Sequence, residues 1–400
     1  MYARTIVPAL LAQIVYSFMM KQYSDDEFMV EARIVSSDNL SEKYWLRFSY
    51  GSDLSMHRFT ERIPFTRRER KYIKNFLQEM DGYSGRSTKL RRMRRTKQLR
   101  RVDVKARDAL LKNGRRLFNI LKRRSEIKVS RFEDLFGTGF ELTLTLDDIT
   151  RRFPWELAHD GEDFLCVKYD VGRKVESPFW RRQSGVEPEY RRALVIGLNY
   201  KWEKDEDRWL YTAEREALAV QKQLRKKGYA VKLLRSKGKQ ATVEEVEKVL
   251  SEGVAIFHFS GHGAYKVHQP EGRRGALVLR DGDLTEEDLR TCFNKAKGAP
   301  YLSFLNACQS AKEIYSSHFV DAFVEFGAEY VIGTFWPVYD KPSTKFSEKF
   351  YREVTQGTSI AHALNLARWQ FVRKRKFQEA ATWPSFVLYG SAIHGLPRAP

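Results

Sequence analysis

A base and a nucleophile stand at matching places in two short stretches. The first, His258-Phe259-Ser260-Gly261-His262-Gly263, follows the apolar run Val254-Ala255-Ile256-Phe257. The second, Leu305-Asn306-Ala307-Cys308-Gln309-Ser310, follows Tyr301-Leu302-Ser303-Phe304. Apolar runs of this length, bounded by Gly, Pro and polar residues, read as buried parallel strands. In an open α/β sheet, ligands bind beyond the carboxyl ends of the strands, so His262 and Cys308 are expected to face one crevice despite their separation in sequence. A thiol near its reference pKa is mostly protonated at neutral pH, and a nearby imidazole that takes the proton makes a working nucleophile. The same imidazole can then protonate a leaving amine. Gly261 and Gly263 are expected to let the backbone turn sharply and present an N–H to a developing oxyanion. Taken singly, these are also a core cysteine and a histidine at a strand end. Paired at two strand ends with small neighbours, they point to nucleophilic catalysis.

The two stretches belong to a longer series. Phe153-Pro154-Trp155-Glu156-Leu157 precedes them. Gly327-Ala328-Glu329-Tyr330-Val331-Ile332-Gly333-Thr334, Trp336-Pro337-Val338-Tyr339-Asp340 and Trp383-Pro384-Ser385-Phe386-Val387-Leu388-Tyr389-Gly390 follow. In order and spacing, from about residue 28 to 396, the chain resembles a CHAT domain, a type of caspase-like cysteine peptidase related to separases, gingipains and caspases. The resemblance implies Cys308 as nucleophile, His262 as catalytic histidine, and the backbone N–H groups of Gly263 and Cys308 as oxyanion hole. It also implies that Asp340 lines a pocket for a basic P1 residue, holding Arg or Lys through a charged hydrogen bond. The alternative for Asp340 is a loop residue capping the helix that starts near Pro342. Trp336 reads as a pocket wall or as core. A basic P1 would make Arg181-Arg182 and Arg191-Arg192 candidate self-cleavage sites.

Behind these residues stands an ordinary globular chain. Four hundred residues, 42% hydrophobic and 30% charged, exclude a disordered protein and allow two or three domains. The three cysteines, Cys166, Cys292 and Cys308, are too few for a disulfide framework and point to a reducing, cytoplasmic setting. No Cys/His cluster has zinc-ligand spacing, and no metal or cofactor is expected. The net charge is +20. Residues 89–131 hold 18 Lys or Arg against Asp103, Asp108 and Glu126, a local net of +15. Such a block is the footprint of an acidic partner, nucleic acid or anionic lipid, or else a solvated helix face beside a core stripe.

Four parts follow in order. Residues 1–22 are a docking or packing helix, too short to span a bilayer and without the features of a signal peptide. Residues 23–176 form an N-terminal α+β subdomain. It has strands at 28–35 and 44–48 with a turn at Asn39, a helix at 66–80, a loop at 81–88, the basic block, and strands at 140–146 and 164–169. Within the block, residues 102–124 are expected to be helical, with Val104, Leu110, Leu111, Leu117, Phe118 and Leu121 on one stripe. The linker is 177–190, where two Pro and a Gly interrupt all periodicity. Residues 191–400 are the catalytic half. Its βαβαβ pattern predicts a caspase-like, six-stranded, mainly parallel sheet flanked by helices, with a small hairpin at 276–282 beside the crevice. Cys166 and Cys292 read as buried. His159, in His-Asp-Gly, reads as a turn residue, and His268, His318, His362 and His394 lack a second chemical group at useful spacing.

Two functions fit this reading. One is a regulated endopeptidase acting on a protein substrate, triggered by a sensor or partner protein in a defence or cell-death response. The other is a nucleic-acid-binding or scaffold module on a caspase-like fold.

Overall fold

A computed structural model describes residues 29–36, 43–50, 57–64, 67–92, 96–122, 130–132, 141–146, 151, 153–175, 191–236, 241–266, 274–307, 319–372, 381–392 and 396. The helix expected at 1–22, the turn at Asn39, the linker at 177–190 and Cys308 itself lie outside the described residues.

The first part of the chain supplies β1 (Met29–Ser36), β2 (Lys43–Tyr50), β3 (His57–Pro64), α1 (Arg67–Arg92), α2 (Thr96–Lys122), β4 (Glu141–Leu146), the short α3 (Leu165–Lys168) and β5 (Asp170–Val175). The second part supplies β6 (Arg192–Gly197), α4 (Ala213–Lys226), β7 (Ala230–Arg235), α5 (Val243–Ser251), β8 (Ile256–Gly261), β9 (Gly263–Lys266), β10 (Arg274–Val278) and β11 (Asp283–Thr285). It continues with α6 (Glu286–Lys295), β12 (Leu302–Ala307), α7 (Phe319–Glu325), β13 (Tyr330–Thr334), α8 (Asp340–Val354), α9 (Ile360–Val372) and β14 (Phe386–Tyr389).

One sheet of eleven strands runs through both parts, in the order β3-β2-β1-β4-β5-β14-β13-β12-β8-β6-β7. The end formed by the second part of the chain is the expected six-stranded unit. Strands β7, β6, β8, β12 and β13 are mutually parallel, and β14 is antiparallel to β13. The parallel strands read as apolar runs because helices cover both faces of such sheets, and every residue of β8 and β12 is buried. The chain moves from β6 outward to β7 and then back across to β8. The strand order therefore reverses between β6 and β8, the place where open α/β sheets bind ligands. Strands β9, β10 and β11 form a small separate sheet, one strand larger than the expected hairpin.

Several expectations are corrected. The loop expected at 81–88 is helix, the last third of α1. Gly82 and Gly85 favour a break, but Phe76, Met80 and Ser84 continue one buried stripe, and Ser84 Oγ donates to the Pro337 carbonyl. Tertiary packing outweighs local propensity here. The strand expected at 164–169 is the α3 turn, with β5 starting only at Asp170. A short buried apolar run carries no periodicity that separates helix from strand. Val104 is 47% exposed and off the α2 stripe, whereas Leu110, Leu117, Phe118 and Leu121 are buried on it. Strand β8 reaches Gly261, so His258 lies inside it and His262 just beyond it. Strand β3 was not anticipated.

Candidate active site

The candidate site is built on the paired ends of β8 and β12. Ser260 stands opposite Asn306, and Gly261 opposite Ala307. In sequence the next residues are His262 and Cys308, the latter outside the described residues.

Three contacts with other described residues hold His262. Its backbone N–H donates to Tyr200 Oη at 2.7 Å, and that hydroxyl donates to the Val278 carbonyl at 2.7 Å. The Tyr200 ring lies against the imidazole, centroid to centroid 4.3 Å. Finally, His262 Nε2 is 2.6 Å from the Arg208 carbonyl oxygen. A carbonyl can only accept, so Nε2 carries the hydrogen, and Nδ1 of the neutral ring holds the basic lone pair. Tyr200 follows β6 and is fully buried with φ +54°, a left-handed conformation that a bulky residue adopts only where its surroundings hold it.

Gly261 is needed for a reason other than the expected turn. Neither Gly261 nor Gly263 has a positive φ. A Cβ at Gly261 would sit 2.6 Å from Tyr200 Oη and 2.7 Å from the Phe259 ring. The missing side chain makes room for the hydroxyl that holds His262. Gly263 opens β9, in register with Leu277.

Behind these strand ends lies a buried carboxylate. Glu216 of α4 accepts from Ser260 Oγ (3.1 Å), from Asn306 Nδ2 (2.9 Å to each oxygen) and from Thr344 Oγ1 (3.0 Å). One side chain thus ties together the register partners that precede His262 and Cys308. His258 Nε2 approaches to 3.3 Å without hydrogen-bond geometry. Burial pushes the Glu216 carboxyl up, but the His258 imidazole and the Ser347 and Asn306 donors pull it down further, so it titrates below the ordinary glutamate range.

Asp340, the first residue of α8, lies at the edge of this network. Its Oδ2 accepts the backbone N–H groups of Tyr211 and Thr212 at 2.8 and 3.0 Å, and its Oδ1 accepts from Thr212 Oγ1 at 2.7 Å. It therefore anchors the segment that carries the Arg208 carbonyl. Burial raises its pKa, although these donors oppose the rise. Trp336 is 1% exposed and donates its indole N–H to the Ala381 carbonyl at 2.7 Å, which places it in the core. The Arg191-Arg192 peptide opens β6, and its carbonyls already accept from Ala230 and Ala255. Cys166 is fully buried, with burial pushing its thiol up to about 11, and Cys292 is buried too.

Tyr200, Arg208 and Glu216 were not singled out from the sequence. Arg208 acts through a main-chain carbonyl, which no residue type announces. Glu216 did leave a trace: it falls on the buried stripe of α4 with Ala213, Ala217, Val220 and Leu224. Among the described residues, no group of His, Cys, Asp or Glu is placed to hold a metal ion, and no helix is long and apolar enough to cross a membrane.

Comparison with known proteins agrees with this architecture. No curated protein matches the chain. By structure it is similar to separase in the Saccharomyces cerevisiae separase–securin complex, with TM-score 0.53 and 13% identity over 91% of this chain. It spans only 30% of that separase chain. Looser likenesses are to the Arg-specific cysteine proteinase gingipain R (TM-score 0.46, 12% identity, 64% of each chain) and the Drosophila initiator caspase Dronc (TM-score 0.35, 11% identity, 55% of this chain and 87% of that one). The sequence model of the CHAT domain matches residues 112–391, well over half of the chain. With its mainly parallel sheet in the caspase-like arrangement, the chain belongs to the CHAT domain family.

Proposed function

We propose that the protein is a regulated cysteine endopeptidase with Cys308 as nucleophile and His262 as base. The observation that carries this reading is the register of β8 and β12. It ends the two strands side by side, while the Arg208 carbonyl orients the His262 ring through Nε2. In the proposed reaction His262 Nδ1 takes the thiol proton, and Sγ bonds to the scissile carbonyl carbon. The oxyanion is met by the backbone N–H groups of Gly263 and Cys308. As the C–N bond breaks, His262 returns the proton to the leaving amine. Water, activated by the same imidazole, then hydrolyses the thioester.

A basic P1 remains part of the proposal. On Asp340, Oδ2 has two donors among the described residues and Oδ1 has one, which leaves room on Oδ1 for a substrate cation. The trigger is proposed to be a partner that engages outside the catalytic half.

The test compares wild type with Cys308→Ala on fluorogenic peptides varied at P1. Hydrolysis that vanishes in the variant is expected, with Arg or Lys preferred at P1. Activity retained by Cys308→Ala sinks the dyad. Cysteine-dependent cleavage after another residue keeps the dyad and removes Asp340 from the pocket.

A further inference from the structure

The basic block resolves into a defined surface. Helix α2 is 27 residues long. Lys97, Arg101, Lys105, Lys112, Arg115 and Lys122 are all exposed, each four or seven residues from the next except for the three between Lys112 and Arg115. That spacing puts them on one face. At 1.5 Å per residue the stripe is about 37 Å long. Exposed Asp108 is already held by Arg107 Nε and Nη2 at 3.1 and 2.9 Å. None of the six stripe cations has an ion pair among the described residues.

The opposite face fastens the helix to the body. Ala106, Leu110, Leu117, Phe118 and Leu121 are buried. At Gly114 a Cβ would stand 2.5 Å from the Leu157 carbonyl, and the Gly114 carbonyl accepts the His159 N–H at 2.9 Å. The cations therefore project from a rigid rod, and little order remains to be gained on binding.

We propose that the outer face of α2 docks double-stranded nucleic acid through its phosphate backbone, without reading sequence. A duplex carries a phosphate about every 1.7 Å of its axis, which matches a long row of unpaired cations. Single strands are held by stacking on aromatic side chains, and the exposed large hydrophobic on this helix is Val104 alone among its described residues. A membrane surface would call for an apolar face beside the cations, and among the described residues of this helix Val104 is the lone exposed large hydrophobic there. The inference stands apart from the peptidase reading, since it concerns binding only.

The test measures fluorescence anisotropy of a labelled duplex of about 20 base pairs over a salt series. It compares the full chain, the triple variant Arg101→Glu, Lys105→Glu, Lys112→Glu, and a control of equal charge change on α4, Lys222→Glu, Arg225→Glu, Lys226→Glu. All six positions are exposed. Wild type and control are expected to bind alike. The α2 variant should bind at least about tenfold more weakly near 100 mM salt, with a log–log salt slope flatter by about 3. Circular dichroism melting verifies that both variants are folded. Equal losses in the two variants would assign binding to overall charge and overturn the inference. So would a wild type that ignores the duplex, whether it binds nothing or binds instead to phosphatidylserine vesicles or polyglutamate.

Discussion

Arginine is used in opposite ways at two places in this molecule. At the seam where β5 meets β14, Arg151, Arg173 and Arg368 are each 1% exposed, and each is matched. Arg151 makes a bidentate contact with Asp321 at 2.7 and 3.0 Å. Arg173 grips both oxygens of Glu156, donates to the carbonyls of Arg151 and Phe153, and lies 4.8 Å from the Phe335 ring. Arg368 donates to the carbonyls of Phe386 and Cys166. On the outside of α2 the same residue type stands in water with few counter-charges. The inner set is tied to carboxylates, carbonyls and a ring, and fixes geometry. Of the outer set, Arg101 and Arg115 have no ion pair among the described residues and supply a field. Composition registers only the net over the whole chain, +20, and does not separate the two. The difference shows that net charge speaks about partners only after the buried, neutralised cations have been set aside.

The sharpest way to break this comparison is to remove one buried partner. Arg173→Met leaves Glu156 charged and alone in the core, and should cost about 3–5 kcal/mol of unfolding free energy in urea titration. Arg173→Met with Glu156→Met should recover much of that. A single-variant loss below about 1 kcal/mol would mean that the seam is not held by charge. The site carboxylate comes next. Glu216→Gln turns an acceptor into a donor facing Asn306 and Thr344, and should cost about 2–3 kcal/mol. Because the folded pKa of Glu216 is lowered, its contribution is complete above the ordinary glutamate range and is lost as pH falls through the lowered value. The gap between wild type and variant should therefore shrink below about pH 4.

A smaller effect is expected at His362. Its Nδ1 lies 2.9 Å from Asp170, and that hydrogen bond raises the imidazole pKa. The contribution is complete below the unfolded value, near 6.5, and is lost as pH rises through the folded one. His362→Ala should thus destabilise more at pH 5.5 than at pH 9, by less than about 1 kcal/mol, since the side chain is 48% exposed. On the outer face the effect should be smallest, with each single α2 charge change within about 0.5 kcal/mol.

What was legible follows the range of the forces involved. The apolar runs of the parallel strands, the helices between them and the chain order of His262 and Cys308 are local patterns, and the six-stranded unit came out as expected. Thr285 and Asp288, three residues apart at the start of α6, form a capping box, another local pattern. The failures are non-local. Residues 81–88 look like a loop until Ser84 meets Pro337, 253 positions away. His362 looked isolated because Asp170 is 192 residues off. The Arg208 carbonyl and the Tyr200 hydroxyl touch His262 only once the sheet has formed.

The seam carries a practical consequence for anyone dividing the chain. Strands β5 and β14 share a single residue pair, Tyr389 with Arg173, together with the Gly390 N–H on the Arg173 carbonyl at 2.7 Å. A fragment starting at residue 191 would lose β5 and Arg173 together. It would expose Phe386-Val387-Leu388-Tyr389, four buried residues without charge or proline, as an open template for pairing with another copy. Such a fragment should self-associate, so the smallest well-behaved unit reaches back through β4 and β5 to the N-terminal strands.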